Sequence, residues 1–357
     1  MKRFAIIGSI TKVEKMGLTY KDAGVDIDAA DKTVDKMKKH IASTKNEFVL
    51  ADIGSFGGLF ELSKEFKNPV MVASSDGVGT KLKLAYESGI HNTVGQDLVN
   101  HCVNDILVQG AKPLFFLDYF GTSKLEPNVG EQIVEGFSKA CRENGVALIG
   151  GETAELPGLY KPKEYDLAGF VVGAVEKDRI ITGETIEQGD VVIGISSNGL
   201  HTNGYSLVYK VFEKAGFKFE DKIPELGCTL REELMKVHAS YLKPMQELMK
   251  RDIVKGMAHI TGGGLVDNIP RILPKKCDVE IEKGTWPILP IFKLIQEKGE
   301  VPEDDMYRTF NMGIGFVVIT YAAEADDVLK DLQSMGVFAH KIGEVKQGSG
   351  KSKVILK

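Results

Sequence analysis

The sequence contains only four cysteines, and their positions suit neither a metal site nor a disulfide framework. They are Cys102, Cys141, Cys228 and Cys277, so no two of them form a Cys-x-x-Cys pair. Zinc ligation by cysteines and the compact scaffold of a disulfide-rich secreted protein are therefore unsupported. Reduced thiols in a cytoplasmic protein fit this cysteine usage best.

Long apolar runs and an excess of positive charge are also missing. No apolar stretch approaches the ~18 residues that a membrane-spanning helix requires. Lysine and arginine total 45 against 50 aspartates and glutamates, which gives a formal net charge of −5. The chain therefore offers no broad basic field for nucleic acid or an anionic membrane. If it binds a polyanion such as ATP, the positive charge that holds the ligand must be local.

The common glycine-rich phosphate motifs are absent as well. The segment Gly-Ser-Gly-Lys-Ser at residues 348–352 resembles the end of a P-loop, but Val345 stands where that motif needs glycine. No Gly-x-Gly-x-x-Gly follows a predicted strand. We interpret the 348–352 segment as a solvated turn, so any nucleotide must be held by other means.

Apolar runs rich in valine, isoleucine and phenylalanine alternate with longer helical patterns, which indicates a mixed α/β fold. At 357 residues and 43% hydrophobic composition, the chain is long enough for two domains with buried cores. We expect an N-terminal domain over residues 1–176 and a C-terminal domain over residues 177–357. The predicted strands are Val70–Ser74, Leu114–Asp118, Val146–Ile149, Gly169–Val175, Val191–Ile195 and Phe316–Thr320. The predicted helices are Ile27–Ser43, Val94–Gln109, Gly130–Asn144, Gly204–Ala215, Arg231–Met249 and Ala323–Ser334.

The segment at residues 74–81 contains the first candidate site. A buried strand delivers Asp76 to its carboxyl end, and open α/β sheets bind ligands just beyond such strand ends. Asp76 is therefore a candidate metal or reaction-centre carboxylate. The residues expected to shape a phosphate site around it are Gly77, Gly79, Thr80 and Lys81. A plain Asp-Gly turn is the alternative, and the segment alone does not decide between them.

A polar stripe on the predicted helix Val94–Gln109 is the second candidate. Asp97, His101 and Asp105 follow one another at intervals of four with Asn104 beside them, so at ~100° per residue they share one face. Its oxygens suit Mg²⁺, which prefers carboxylates and phosphate oxygens. An ordinary solvated face with i,i+4 pairing is the alternative. Asp105 is the strongest single candidate in the stripe.

Two further segments follow predicted strands. Glu152 comes after a strand and two glycines, and we expect it to converge with Asp76 and Asp105 on one metal–phosphate centre. A glycine-hinged turn supplies His201 and Asn203. An imidazole has a pKa near working pH, so His201 suits a general base or acid. The alternative is a helix-entry loop that Asn203 caps.

Two glycine clusters are candidate places where the backbone approaches a ligand closely. The first spans residues 54–58, and the second follows His259 within residues 259–264. Backbone amides at a helix start bind phosphate without net charge, which suits an acidic protein. Flexible linkers are the alternative, although consecutive glycines are costly in conformational entropy.

Taken together, these segments resemble the aminoimidazole ribonucleotide synthetase family, also called the phosphoribosylformylglycinamidine cyclo-ligases, of purine biosynthesis. The resemblance runs from about Leu18 to Val345, and the combination is specific although each motif alone is not. The motifs that carry it are Tyr20-Lys-Asp-Ala-Gly-Val-Asp26, Ser75-Asp-Gly-Val-Gly-Thr-Lys81, Val103-Asn-Asp-Ile106, Gln109-Gly-Ala111, Leu114-Phe-Phe-Leu-Asp-Tyr119, Gly150-Gly-Glu-Thr-Ala-Glu155, His201-Thr-Asn-Gly-Tyr-Ser206, His259-Ile-Thr-Gly-Gly-Gly264 and Met306-Tyr-Arg-Thr-Phe-Asn311.

The resemblance implies a two-domain ATP-binding fold, in a cytoplasmic homodimer whose N-terminal domains pair through their sheets. It implies ATP and Mg²⁺ as cofactors and formylglycinamidine ribonucleotide as substrate. ATP is expected to phosphorylate the formamide oxygen. The neighbouring amidine nitrogen then attacks the same carbon, phosphate departs and the imidazole ring of 5-aminoimidazole ribonucleotide closes.

The resemblance also implies roles for individual residues. The expected nucleotide contacts are Lys21, Gly54, Gly57, Gly58, Asp76, Gly77, Gly79, Thr80, Lys81 and Asp97. The expected metal ligands are Asp76, Asp105 and Glu152, and the expected catalytic groups are Asp76, Asp105 and His201. The expected substrate-binding residues are His201, Asn203, His259, Thr261, Gly262, Gly263 and Gly264.

Two alternatives remain open on the sequence. One is another ATP-dependent phosphoryl-transfer enzyme of the same superfamily. A selenophosphate synthetase would need a nucleophilic cysteine near the N-terminal glycine loop, whereas no cysteine precedes Cys102. The other alternative is a non-catalytic nucleotide-sensing dimer. The presence of Asp76, Asp105, Glu152 and His201 argues against a loss of catalysis.

Overall fold

Two mixed β-sheets, each packed against helices, and one small two-stranded antiparallel sheet make up the computed structural model. The structure describes residues 27–51, 57–348 and 350–357, with side chains from Lys32 onward. The helices in these ranges are α1 (Ile27–Ala42), α2 (Leu82–Ser88), α3 (Asn92–Leu107), α4 (Pro127–Asn144), α5 (Tyr205–Ala215), α6 (Leu230–Leu234), α7 (Leu242–Leu248), α8 (Gly264–Asn268), α9 (Pro290–Gly299), α10 (Glu303–Thr309) and α11 (Ala325–Ser334). The strands are β1 (Pro69–Gly77), β2 (Lys112–Thr122), β3 (Ala147–Glu155), β4 (Tyr165–Glu176), β5 (Val191–Ser196), β6 (Lys222–Ile223), β7 (Cys228–Thr229), β8 (Val254–His259), β9 (Cys277–Ile281), β10 (Ile314–Thr320), β11 (Ala339–Gln347) and β12 (Val354–Leu356).

The first sheet has four strands in the order β1-β4-β2-β3. Strands β1, β4 and β2 are antiparallel neighbours, and β2 pairs with β3 in parallel. Side chains alternate between the two faces of a strand. In β4, Leu167 and Val171 are therefore buried against α3 and α4, whereas Phe170 lies on the opposite face and is 43% exposed. Met71 of β1 is 52% exposed on that same open face.

Helices α3 and α4 cross at a point where both carry glycine. A Cβ atom at Gly136 would lie 2.2 Å from the carbonyl oxygen of Asn92, and one at Gly95 would lie 2.4 Å from that of Ile133. Any larger side chain would force the helices apart. The close crossing fixes α3 against the first sheet, and α3 carries the polar stripe predicted from the sequence.

The second sheet has six strands in the order β12-β9-β11-β5-β10-β8. Its pairs are antiparallel except for β12 with β9. Ile193 and Phe316 on one face pack into the core that also contains α3 residues, and Val192 and Val317 on the other face pack with α5 and α9. Burial on both faces accounts for the near-continuous apolar runs of β5 and β10.

The mixed α/β prediction is confirmed, and all six predicted strands and all six predicted helices overlap elements of the structure. Arg231–Met249 differs from the prediction because it forms two short helices, α6 and α7, with residues 235–241 between them. The first sheet ends at Glu176 and the second begins at Val191. The division at residues 176 and 177 stays a prediction, because one core cluster draws on both halves.

Side chains of α3 hold the segment between α6 and α7 in its non-helical path. Asp97 Oδ1 accepts a hydrogen bond from the amide of His238 at 2.7 Å, and Asn100 Nδ2 donates to the carbonyl of His238 at 2.7 Å. Asn104 Oδ1 accepts from the amide of Tyr241 at 3.0 Å. Buried backbone groups need such partners, so these bonds replace those of a continuous helix.

Across the described part of the chain, no helix combines the length and the apolar character that crossing a bilayer requires.

Candidate functional site

A cavity of about 570 Å³ lies between the two sheets, and several of the predicted site residues line it. Asp76 reaches it from the end of β1, His101 and Asp105 from α3, and His259 from the end of β8. A volume of this size is typical of a small-molecule site. The fold therefore brings together residues that are up to 183 positions apart in the chain, from Asp76 to His259.

Asp76 and His101 form an ion pair in this cavity. Asp76 Oδ2 lies 2.7 Å from His101 Nε2, and Asp76 Oδ1 accepts a hydrogen bond from the Gly77 amide at 2.7 Å. Burial opposes the charge on both side chains. Their hydrogen bond and mutual attraction outweigh burial, so the pKa of Asp76 is lowered and the pKa of His101 is raised. The Asp76 side chain is still 41% exposed and can accept from a ligand.

Asp105 and His259 form a second pair beside the first. His259 Nδ1 lies 2.8 Å from Asp105 Oδ1, and the hydroxyl of Ser74 donates to Asp105 Oδ2 at 3.1 Å. Burial favours the neutral acid, but the hydrogen bond from His259 outweighs it and the pKa of Asp105 is lowered. Burial lowers the pKa of His259, and the charge of His101 adds to that effect. The pair is therefore a carboxylate with a neutral imidazole.

Two residues that the sequence reasoning missed connect these pairs. Thr202 Oγ1 lies 2.9 Å from His101 Nδ1 and 3.3 Å from His238 Nδ1, and His238 Nε2 lies 3.0 Å from His259 Nε2. Thr202 belongs to the candidate turn at residues 196–205, so a signal for it was present. His238 falls in a run predicted as helix, and only the fold shows its position.

His201 lies against this cluster in a strained backbone conformation. Its φ angle is +61°, a left-handed value that is uncommon for residues other than glycine and often marks a functional site. Its ring stacks on that of His238 with 4.0 Å between centroids. Burial, with the charges of nearby histidines and Lys81, lowers the pKa of His201 well below its usual value. Neither ring nitrogen has a hydrogen-bond partner among the described residues.

The second glycine cluster forms a tight loop after β8. Gly263 and Gly264 have φ angles of +95° and +59°, and a Cβ atom at Gly264 would lie 2.0 Å from the carbonyl oxygen of Tyr307. Asn268 Nδ2 donates to the carbonyls of Gly262 at 3.2 Å and Gly264 at 2.9 Å. The loop is thus a fixed structure rather than a flexible linker.

A second cavity, of about 380 Å³, lies where three predicted segments meet. They are the turn after β1, the turn at 201–203 and the loop after β8. The predicted site residues that line it are Asp76, Gly77, Gly79, Asn203, Thr261 and Gly262. Asn203 Nδ2 is buried without a partner among the described residues. A buried donor of this kind is normally satisfied, so a ligand group that accepts a hydrogen bond would complete it.

Lys81 and Asp97 require a correction, because they form a fully buried ion pair instead of nucleotide contacts. Lys81 Nζ lies 2.9 Å and 2.8 Å from the two carboxylate oxygens and donates to the carbonyl of Lys236 at 2.7 Å. Burial lowers the pKa of Lys81 and raises that of Asp97, while their attraction opposes both shifts. Both side chains are enclosed. Thr80, also predicted to face phosphate, lies with its hydroxyl 3.1 Å from that of Ser206.

Glu152 requires a second correction, because it does not join Asp76 and Asp105. Asp76 lies on β1 and Glu152 on β3, at opposite edges of the first sheet. Three strand spacings of ~4.8 Å put the backbones of Asp76 and Glu152 about 14 Å apart. Gly58 lies beside Ile149 of β3, at the same far edge. A Cβ atom added at Gly57 would meet nothing within 4 Å, and Lys21 and Gly54 lie outside the described residues.

Asp76 and Asp105 have the chemistry that a magnesium site needs. Their carboxylates are partly exposed and lie 2.7 Å and 4.0 Å from the same nitrogen, His101 Nε2. Carboxylates with phosphate oxygens and water suit Mg²⁺. His101, Asp105 and His259 also offer ligand atoms within 4.8 Å of one another, but their imidazole nitrogens already bond to carboxylates or other side chains. The two acids fit the expected metal, and Glu152 does not.

Two family models match successive parts of the chain. The chain matches the model of the AIR synthase related protein N-terminal domain over residues 64–175, and that of the C-terminal domain over residues 187–355. The chain belongs to the AIR synthase related family. The resemblance inferred from the sequence motifs is thereby confirmed.

Relatives cover almost the whole chain. A protein of Alkaliphilus oremlandii (strain OhILAs) named phosphoribosylformylglycinamidine cyclo-ligase is 53% identical over 336 residues, which is 94% of this chain and 98% of that protein. A protein of Burkholderia multivorans (strain ATCC 17616 / 249) with the same name is 52% identical over 338 residues, 93% of this chain and 94% of its own length.

Solved structures of lower identity share the fold. Thiamine-monophosphate kinase from Stenotrophomonas maltophilia K279a aligns with a TM-score of 0.65 at 16% identity, over 90% of this chain and 95% of its own. The hydrogenase maturation protein HypE in complex with ATP aligns with a TM-score of 0.63 at 18% identity, over 89% of this chain and 88% of its own. At these identities the likeness is evidence of the fold alone, and together with the two family-model matches it confirms the expected fold class.

Proposed function

We propose that this chain is a phosphoribosylformylglycinamidine cyclo-ligase. It uses ATP to convert formylglycinamidine ribonucleotide to 5-aminoimidazole ribonucleotide, with release of ADP and phosphate. The observation that carries this proposal is 53% identity to a protein of that name over 94% of the chain. Two imidazole–carboxylate pairs on one cavity between the sheets support it, because the reaction needs both charge stabilisation and proton movement.

The reaction proceeds in two balanced steps. The formamide oxygen attacks the γ-phosphorus of ATP, an oxygen–phosphorus bond forms, and ADP leaves. The amidine nitrogen then attacks the formyl carbon, a carbon–nitrogen bond forms, and the carbon–oxygen bond breaks to release phosphate. The attacking nitrogen and the formamide nitrogen each lose one proton, and a proton shift from the ring methylene carbon to the exocyclic nitrogen gives the aromatic aminoimidazole. Because ring closure is intramolecular, a site that holds the substrate folded removes much of the entropic barrier.

The residues of the site suit these steps. Asp76 and Asp105 would hold Mg²⁺, which when bound neutralises charge on the nucleotide phosphates. His201 is proposed to accept the proton because its ring nitrogens have no partner among the described residues, although burial lowers its pKa and so weakens it as a base. The loop at Thr261–Gly264 and the unpartnered amide of Asn203 suit the substrate side of the site.

The open face of the first sheet supports the expected homodimer. Met71 and Phe170 are 52% and 43% exposed on it, and Phe115, Leu117 and Tyr119 of β2 belong to the same face by register. An exposed apolar face of a sheet marks an interaction surface. We therefore place the contact between two copies of the chain there. The four cysteines are free thiols, in keeping with a proposed cytoplasmic location.

The proposed function is tested by substrate-dependent release of ADP. Wild-type protein with ATP and Mg²⁺ should release ADP only when formylglycinamidine ribonucleotide is present, and the cyclised product should appear in equal amount. Asp76→Asn and Asp105→Asn should each abolish this release while the protein stays folded. Asp327→Asn, on the exposed face of α11, is the matched control and should keep wild-type turnover. Turnover by either site variant would contradict the assigned site, and no turnover by wild type would contradict the function.

A further inference from the structure

We propose that His238 is a positioning residue that joins the two imidazole–carboxylate pairs of the site into one hydrogen-bonded chain. His238 touches neither carboxylate. Its Nδ1 instead contacts Thr202 on one side of the site, and its Nε2 contacts His259 on the other side together with Asn104 of α3. The expected effect on turnover rests on the proposed cyclo-ligase function, whereas the geometric role does not.

The chain of hydrogen bonds is continuous between the two acids. From the Asp76 side, His101 Nδ1 lies 2.9 Å from Thr202 Oγ1, which lies 3.3 Å from His238 Nδ1. His238 Nε2 lies 3.0 Å from His259 Nε2, whose Nδ1 faces Asp105. Each distance is within the range of a hydrogen bond. Removal of the His238 imidazole interrupts this hydrogen-bonded route, and leaves the 4.0 Å separation of His101 Nε2 from Asp105 Oδ2 as a longer direct approach between the two pairs.

The two carboxylates at the ends of this series of hydrogen bonds restrict the direction of the bonds within it. Carboxylates only accept, so His101 and His259 each donate to their acid, and a neutral imidazole donates once and accepts once. One ring must therefore donate from both nitrogens. His238 Nε2 also lies 3.3 Å from the amide nitrogen Nδ2 of Asn104, which can only donate. His238 is thus held by Thr202 at one ring nitrogen and by His259 and Asn104 at the other.

The His238 ring is held from several directions, so it can fix its neighbours. The side chain is fully buried. Asp97 and Asn100 bind its backbone amide and carbonyl, each at 2.7 Å. The His201 ring stacks on it, at an interplanar angle of 19°. A ring so enclosed has no route to a ligand, and its contribution is to keep His259 facing Asp105 and Thr202 facing His101.

Loss of this link frees two side chains that border the site. His259 would lose the partner of its Nε2 and could turn its Nδ1 away from Asp105. Thr202 would lose its contact with His238 and could turn its oxygen away from His101. Side chains that orient the groups around a metal–phosphate centre typically change activity by about 10–100-fold. We expect a loss of this size in kcat, with the KM values for ATP and substrate unchanged.

Three substitutions separate the contacts of His238. His238→Phe keeps a ring to stack on His201 but removes both hydrogen bonds. His238→Gln places an amide near the Nε2 position and keeps the contact with His259, and His238→Asn places one near Nδ1 and keeps the contact with Thr202. The expected order of kcat is wild type, then Gln and Asn, then Phe. His91→Gln, which replaces another buried histidine, bonded to Tyr165 outside the site, is the control and should keep wild-type kcat.

A second measurement tests the positioning role without any turnover. The chain has seven histidines, so ring-nitrogen NMR signals of histidine-labelled protein can be assigned by single substitutions. In His238→Phe, the signals of both His101 and His259 should shift, while those of His40 and His340 should not. Unchanged His101 and His259 signals, or wild-type kcat in a folded His238→Phe variant, would overturn the proposal. Failure of wild type to cyclise the substrate would overturn the function alone, because the NMR result stands apart from it.

Discussion

Single residues of the same type have different roles in this protein, and burial separates those roles. Asp97 and Asp105 lie two helical turns apart on one stripe of α3. Asp97 is fully buried against Lys81, whereas the Asp105 side chain is 26% exposed to the cavity. The sequence places both on one face because that follows from helical periodicity. It cannot show which of them a distant segment covers.

The Lys81–Asp97 pair should be important for stability rather than for nucleotide binding. Lys81→Met leaves the Asp97 carboxylate buried without its cation, a change that typically costs about 3–5 kcal/mol. We expect the free energy of unfolding in urea to fall by that amount. Lys330→Met, which breaks an exposed pair with Asp327, should leave it unchanged. A stable Lys81→Met variant with weakened ATP binding would instead support the role predicted from the sequence.

At the scale of secondary-structure elements, local sequence patterns predicted which helices and strands are present. They did not predict where a helix is interrupted. The strand that ends at Asp76 and the helix that carries His101 follow from apolar periodicity, and both are present. The break between α6 and α7 depends on Asp97, which lies 141 residues before His238. No local pattern contains that contact. The positions of His238 and of Glu152 were missed for the same reason, since strand order and long-range bonds determine them.

The loop after β8 should tolerate no side chain at Gly264. Two effects contribute, the left-handed backbone and a steric clash, and a second glycine separates them. Gly264 and Gly284 both have left-handed φ angles, +59° and +87°, but a Cβ atom at Gly284 meets nothing within 4 Å. Gly284→Ala should therefore cost only the backbone penalty of about 1–2 kcal/mol. Gly264→Ala adds the clash with Tyr307 and should cost more. If both variants lose the same free energy of unfolding in urea, the loop moves to accommodate the added methyl group, which contradicts this prediction.

For the whole molecule, the arrangement of the two sheets explains both the cavity and the open face. Helices α3 and α4 cover one face of the first sheet, and the site lies where α3 meets the segment before α7 and the end of β8. Among the described residues no helix covers the other face, and Phe60 packs there on Phe115 with 5.3 Å between ring centroids. The length of the chain predicted two domains, whereas dimerisation was expected from the family resemblance, since periodicity shows that a face is apolar but not what packs on it.

Dimerisation through this face is tested by charge placed on it. Wild-type protein should sediment as a dimer, and Phe170→Asp should sediment as a monomer because an unpaired carboxylate would be buried at the interface. Phe338→Asp is the control, since Phe338 is 79% exposed but lies in the second half of the chain. A Phe170→Asp variant that remains dimeric would move the interface elsewhere.

The central claim, that ATP activates an oxygen of the substrate, is tested most directly by following that oxygen. Formylglycinamidine ribonucleotide labelled with ¹⁸O in its formamide group is incubated with the protein, ATP and Mg²⁺ in unlabelled water. The account predicts that the label appears in the released inorganic phosphate, one atom for each ring closed, because the carbon–oxygen bond breaks after the oxygen–phosphorus bond has formed. Label found in water, with unlabelled phosphate, would contradict it.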